Sequence, residues 1–188
     1  MPPVGIIFFA IAPCRASQVN PPLPLPSTKT AEHSTAARSH MFTVHLPLAE
    51  AFTLFEPVGE KNWAGGFDPV FATKESAVLG TDSVFTLEAS HGGARHTAIW
   101  LITRYDRAAA VIEYRAVNPG VRVARITVQC SPSSESETRV DVAYRYTGLS
   151  EEGDAYVDSI TEKKFGEYID EWASDIRAYL ARGTPATP

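Results

Sequence analysis

The chain has little cysteine, little positive charge and no long apolar run, and each shortage closes off a class of protein. Two cysteines, Cys14 and Cys130, in 188 residues cannot build a disulfide framework. Lys and Arg total 17 against 22 Asp and Glu, for a net charge of −5. Only Arg15, Lys29, Glu32 and Arg38 are charged before Met41, so the remainder is more acidic than the whole. Such a surface offers no basic footprint to nucleic acid or to an anionic bilayer, and neither partner is expected. The most apolar run, Val4 to Ala12, is too short to span a membrane as a helix, and no basic residue precedes it as in an export signal. No integral membrane association is expected, and the expected compartment is the cytoplasm; export is the alternative if residues 1–14 act as a signal. A Ser-His-Asp order, a Gly-rich phosphate loop and a paired-carboxylate signature are also missing, so no cofactor is expected. His91 and His96 lie near Glu88 at a glycine turn but lack the spacing of a metal site, and no metal is expected.

What is present is apolar and aromatic. A hydrophobic share of 44% and an aromatic share of 10% suffice for one domain with a sizeable core. Asn20 to Pro26 (NPPLPLP) reads as an extended spacer. Residues 1–35 are therefore expected to form a flexible tail, residues 36–182 the domain, and residues 183–188 a short disordered C-terminal tail. Alternation marks a strand over Ala37 to Leu46, and Pro47 opens a short helix that Pro57 is expected to stop. After an irregular, glycine-rich segment anchored by Trp63 come six strand-like stretches: Val70 to Phe71, Ser83 to Ala89, Arg95 to Tyr105, Ala109 to Val117, Val121 to Cys130 and Thr138 to Thr147. Their regular spacing predicts an antiparallel meander. Ser150 is a good N-cap for a closing helix whose apolar stripe (Ile160, Phe165, Ile169, Trp172, Ile176) reaches about Arg182. One continuous rod of that length would measure roughly 45–50 Å. Gly166 within it marks either a close approach or a tolerated weak spot.

This order of elements resembles the helix-grip fold of the START-like (SRPBCC) superfamily, which includes Bet v 1-type allergens, lipid-transfer START domains and polyketide cyclases. LPLAEAFTLF after the first strand resembles the entry segment of bacterial SRPBCC proteins. WLITRYD, RVARITVQC and YRYTGLSEEG are also more similar to bacterial members than to plant ones. The resemblance covers about Ala36 to Arg182. It implies an α+β fold in which a curved seven-stranded antiparallel sheet surrounds a long C-terminal helix and leaves an apolar cavity between them. Strand alternation then aims Phe85, Leu87, Trp100, Ile102, Tyr114, Ile126, Tyr144 and Tyr146 inward, and the helix adds Tyr156, Ile160 and Phe165. These eleven are the expected pocket lining. The hydroxyls of Tyr114, Tyr144 and Tyr146 need partners, either a ligand oxygen or neighbouring backbone. The implied function is binding of a small hydrophobic or aromatic molecule, lipid-like or polyketide-like. A cyclase or aromatase-type enzyme is one alternative, with Glu88, His96, Arg104 and Arg122 as candidate polar groups. A protein-interaction module is another. Glu113 and Arg115, opposite Tyr114 in parity, are expected on the solvated outer face.

Overall fold

Alternation along the chain becomes a single antiparallel sheet. The computed structural model describes residues 30–91 and 94–183, except for the side chains of residues 89–96. The signal-like run, the proline-rich spacer and all of the C-terminal tail beyond Gly183 lie outside the described residues. The seven strands are β1 (Thr35–Val44), β2 (Val70–Phe71), β3 (Val84–His91), β4 (Ala94–Asp106), β5 (Val111–Asn118), β6 (Arg122–Ser134) and β7 (Glu137–Gly148). They lie in the order β1-β7-β6-β5-β4-β3-β2, a meander from β2 to β7 with the first strand folded back onto the last. The segment before β1 is tied to the far end of the chain: Asp154 accepts from the Ser34 N–H at 2.8 Å and contacts His33 Nδ1 at 2.9 Å.

One face of this sheet is dry. Phe42, Val44, Phe85, Ile102, Ile112, Tyr114, Ile126, Val128, Val140 and Val142 are buried on it. Cys130 joins them as a small hydrophobe, and burial pushes its thiol up to about 12. Strand β4 carries apolar residues at both parities, and a bulge between Ile102 and Arg104 sorts them. Before the bulge Trp100 and Ile102 face inward while Ile99 is 42% exposed; after it the parity shifts, so Tyr105 pairs with the inward Ile112. Glu113 lies on the opposite, convex face with Arg115 at 3.0 Å and Arg125 at 2.8 Å.

The helices depart from the sequence expectation in two places. Helix α1 (Leu48–Thr53) ends early, and Pro57 starts a second short helix, α2 (Pro57–Glu60), where it was expected only to stop the first. A proline at a first helical position lacks only an N–H that would go unpaired there anyway. The terminal rod is likewise two helices, α3 (Glu151–Ser159) and α4 (Glu162–Ala181). The break sits at Ile160, whose ψ of 83° leaves the helical region. Thr161 provides the local reason, because its hydroxyl accepts the Lys164 N–H and so restarts the helix as a cap. The Ile160 carbonyl freed by the break accepts from Arg38 Nε at 2.8 Å. Helix α4 is thus about 30 Å long rather than 45–50 Å.

Helix α4 turns Phe165, Ile169, Trp172, Ala173 and Ile176 inward and packs along β1. Gly166 resolves as a tolerated weak spot: a methyl added there would meet the His40 ring at an ordinary 3.6 Å. Ser150 caps α3 as expected, accepting the Gly153 N–H at 3.2 Å. Ser150→Ala is expected to lower stability by about 1 kcal/mol in urea unfolding.

Candidate functional site

The register of the sheet explains where the interior is full and where it is hollow. One inward row runs Tyr105, Ile112, Val128, Val142, and the next runs Ile102, Tyr114, Ile126, Tyr144. Both consist of large side chains. The third row runs Phe85, Trp100, Ala116, Ala124, Tyr146, with two methyl groups at its centre. A row that is small in the middle and aromatic at the ends leaves a trough that its neighbours cannot fill. Above it lies a cavity of about 640 Å³, walled by the sheet, by α3 and α4, and by the segment following α1. That is within the usual range for a small-molecule site.

Of the expected lining residues, Leu87, Trp100, Ile126, Tyr144, Tyr146, Tyr156, Ile160 and Phe165 border this cavity. Phe85, Ile102 and Tyr114 do not. They point inward but are consumed by the core: Phe85 stacks on Trp100 at 5.7 Å between ring centroids, and the Tyr114 hydroxyl donates to the Phe55 carbonyl at 2.6 Å. The strand face was right for these three, but parity alone cannot distinguish a wall residue from a filled row. Helix α4 and the α2 segment add Tyr168, Trp172, Trp63 and Phe67 to the lining, none of which was expected there. The indole of Trp63 donates to the Leu54 carbonyl at 2.7 Å, which holds the turn after α2 against α1.

The polar candidates separate in the same way. Glu88 is exposed at the mouth and accepts from the Thr97 hydroxyl at 2.7 Å. Arg122 borders the cavity with its guanidinium 3.7 Å from the Tyr156 ring centroid. Arg104 is not on the cavity; it is exposed and pairs with Asp106 at 3.4 Å, because the bulge turns that end of β4. The His96 and His91 side chains lie outside the described ones. Among the described residues, no three His, Cys, Asp or Glu converge as a metal site would require.

The residue that sequence reasoning missed is Glu60. It ends α2, is only 8% exposed, and borders the cavity beside Trp63 and Tyr144. Burial pushes its carboxyl up to about 8, since a charge there would be stripped of water. Glu56, one turn earlier and equally buried, is handled differently: Arg107 and the Tyr105 hydroxyl each reach its Oε1 at 2.7 Å. The available signal was the spacing Glu56, Glu60, Trp63, which brackets Pro57 and would place two acids and an indole on one face if the segment were helical. Burial also raises the Tyr144 and Tyr114 phenols well above their ordinary range, so both stay neutral.

No family model and no curated protein matches the chain. Solved structures do. Norcoclaurine synthase from Thalictrum flavum, in complex with dopamine and hydroxybenzaldehyde, superposes with a TM-score of 0.59 at 12% identity, over 87% of this chain and 99% of that one. Ara h 8.0201 gives 0.57 at 10% identity, over 79% and 97%. The Zhui aromatase/cyclase from Streptomyces sp. R1128 gives 0.55 at 17% identity, over 79% and 93%. Identities this low speak for architecture alone. With its open seven-stranded antiparallel sheet wrapped on a C-terminal helix and short helices after the first strand, this chain has the helix-grip α+β fold, the architecture in which it resembles these structures.

Proposed function

We propose that the protein binds a small hydrophobic or aromatic molecule in the cavity between the sheet and its terminal helices. The observation that carries this reading is the alanine trough: Ala116 and Ala124 offer only methyl groups where aromatic walls surround the space. Leaving a hollow of this size costs stability that a larger side chain would recover, and an occupant best accounts for it. Norcoclaurine synthase, of the same fold, is seen with dopamine and hydroxybenzaldehyde, which supports an aromatic guest of that scale. No described helix is long and apolar enough to cross a membrane.

The test fills the trough. An environment-sensitive apolar dye titrated into the full chain is expected to saturate at one site. Ala116→Leu is expected to weaken that binding about tenfold or more while leaving the unfolding midpoint unchanged or higher. Undiminished dye binding by Ala116→Leu would remove the cavity from consideration.

A second reading, an acid–base enzyme of the cyclase or dehydratase type, draws its support from Glu60, a buried carboxyl on the cavity wall that holds its proton near neutrality. The interaction-module reading has less behind it, because the convex face carries Arg115, Arg125 and Arg145 in one row across three strands.

A further inference from the structure

Among the described residues Glu60 has no ion partner and no side-chain hydrogen bond to its carboxyl, and since no buried polar side-chain atom is left unsatisfied, its oxygens open onto the cavity. A buried carboxyl is ordinarily paired against the cost of lost hydration, and here the cavity is the side from which a partner can reach it. Its surroundings on the cavity wall are aromatic. Trp63 and Trp172 lie 5.5 Å apart between centroids, Tyr168 and Trp172 5.6 Å, and Tyr144 and Trp172 6.4 Å, so the four rings form one connected cluster. Aromatic faces carry negative potential and attract cations. The carboxyl and the rings therefore favour the same guest.

We infer that the cavity selects a ligand whose apolar or aromatic body carries a protonated amine, with the ammonium seated on Glu60 and against the Trp63, Tyr144, Tyr168 and Trp172 cluster. This rests on the reading of the cavity as a small-ligand site and adds the class of ligand. The other charges on the cavity wall fit a cationic guest. Arg122 is engaged with Tyr156, and Lys164 is exposed at the mouth. Neither pairs with Glu60 among the described residues. Glu171 and Asp175 of α4, with Glu88 of β3, make the exposed rim acidic. Burial holds the Tyr114 and Tyr144 phenols neutral, and that of the part-exposed Tyr168 is raised above its ordinary value.

The proton balance is explicit. Near neutral pH Glu60 is mostly in its acid form. On binding, its O–H bond breaks, the proton leaves to solvent, and the carboxylate pairs with an ammonium that keeps all its own protons.

The experiment uses the full chain with naphthylethylamine and naphthylethanol, two probes of matched shape that differ in the amine. Tryptophan quenching gives affinity, and calorimetry in buffers of different ionisation enthalpy gives proton release. The amine is expected to bind about tenfold tighter than the alcohol, between the size of an exposed and a desolvated cation–π contact. It should release close to one proton per molecule at neutral pH. Its affinity should climb as the pH approaches the Glu60 value of about 8 and fall once the amine itself titrates, while the alcohol stays flat. Glu60→Gln should bind the alcohol as before and lose both the preference and the proton release. Glu167→Gln, which removes the same charge from an exposed position outside the cavity, should keep both. Equal affinity for the two probes in the native chain, or a preference that survives Glu60→Gln, overturns the inference and leaves the carrier reading standing. Failure of the apolar dye and of both probes to bind overturns the two together.

Discussion

Glu60→Gln is expected to flatten the pH dependence of stability and to make the variant more stable than the native chain above pH 8. The sign follows from where the proton sits. Burial raises the carboxyl from 4.5 to about 8, so between those values the folded state holds a proton that the unfolded state has lost. Stability contributed by that proton is complete below the lower value and drains away as pH rises, by about 1.4 kcal/mol per unit through the window. The full window sets a ceiling on the order of 5 kcal/mol; because the carboxyl borders a cavity with an exposed rim, about 2–3 kcal/mol is the expected difference between native and variant at the alkaline end. The amide has the same shape and no charge to bury. Urea midpoints measured on both chains from acid to mildly alkaline pH check this, and parallel curves would mean that Glu60 reaches water in the folded state. Comparing the two chains cancels every other carboxylate, including Glu113, which Thr103, Arg125 and Arg115 hold below its ordinary value with the opposite pH sign.

Gly59→Ala is expected to be strongly damaging, although it adds a single methyl group. Helix propensity alone predicts a gain of about 1 kcal/mol for alanine over glycine inside a helix. The tertiary structure reverses that sign. A methyl on Gly59 would collide with the Thr53 carbonyl oxygen, and the Leu54 Cα lies 3.1 Å away, all of it backbone that no side-chain rotation can clear. Helix α2 must then lift from α1, taking with it Glu60 and the Trp63 anchor to Leu54. A loss of about 3 kcal/mol, at the upper end for overpacking, is expected in chemical unfolding, with dye binding weakened in parallel. Val58→Ala, one residue earlier and 54% exposed, should change stability by no more than about 0.5 kcal/mol. If Gly59→Ala is instead stabilising, α2 is free to move and cannot be what aims Glu60 at the cavity.

The strands show how far local pattern reaches. Alternation over Val140, Val142, Tyr144 and Tyr146 placed all four inward, and all four are buried, because a pleated backbone leaves a half-buried strand two faces to choose between. The same reasoning failed at the α3–α4 junction. A stripe from Ile160 to Ile176 continues across a break that depends on one threonine hydroxyl capturing one backbone N–H, and periodicity counts apolar residues without seeing that competition. On β4 the bulge after Ile102 decided which of two apolar parities faces the core, a matter settled by the partner strand.

By itself the amino-acid sequence determined the strands, their antiparallel meander and the inward parity of most of the pocket wall, since each depends on residues a few positions apart. Tertiary structure decided what that wall encloses. Ala116 and Ala124 form a trough only because strand register sets them side by side between Trp100 and Tyr146, and Tyr114 leaves the site only because the Phe55 carbonyl comes within reach of its hydroxyl. Glu60 reads locally as one charge in an irregular, glycine-rich segment. It becomes a buried acid facing a cavity because α2 packs against α1 through Gly59, and the desolvation that governs its proton depends on atoms distant in sequence.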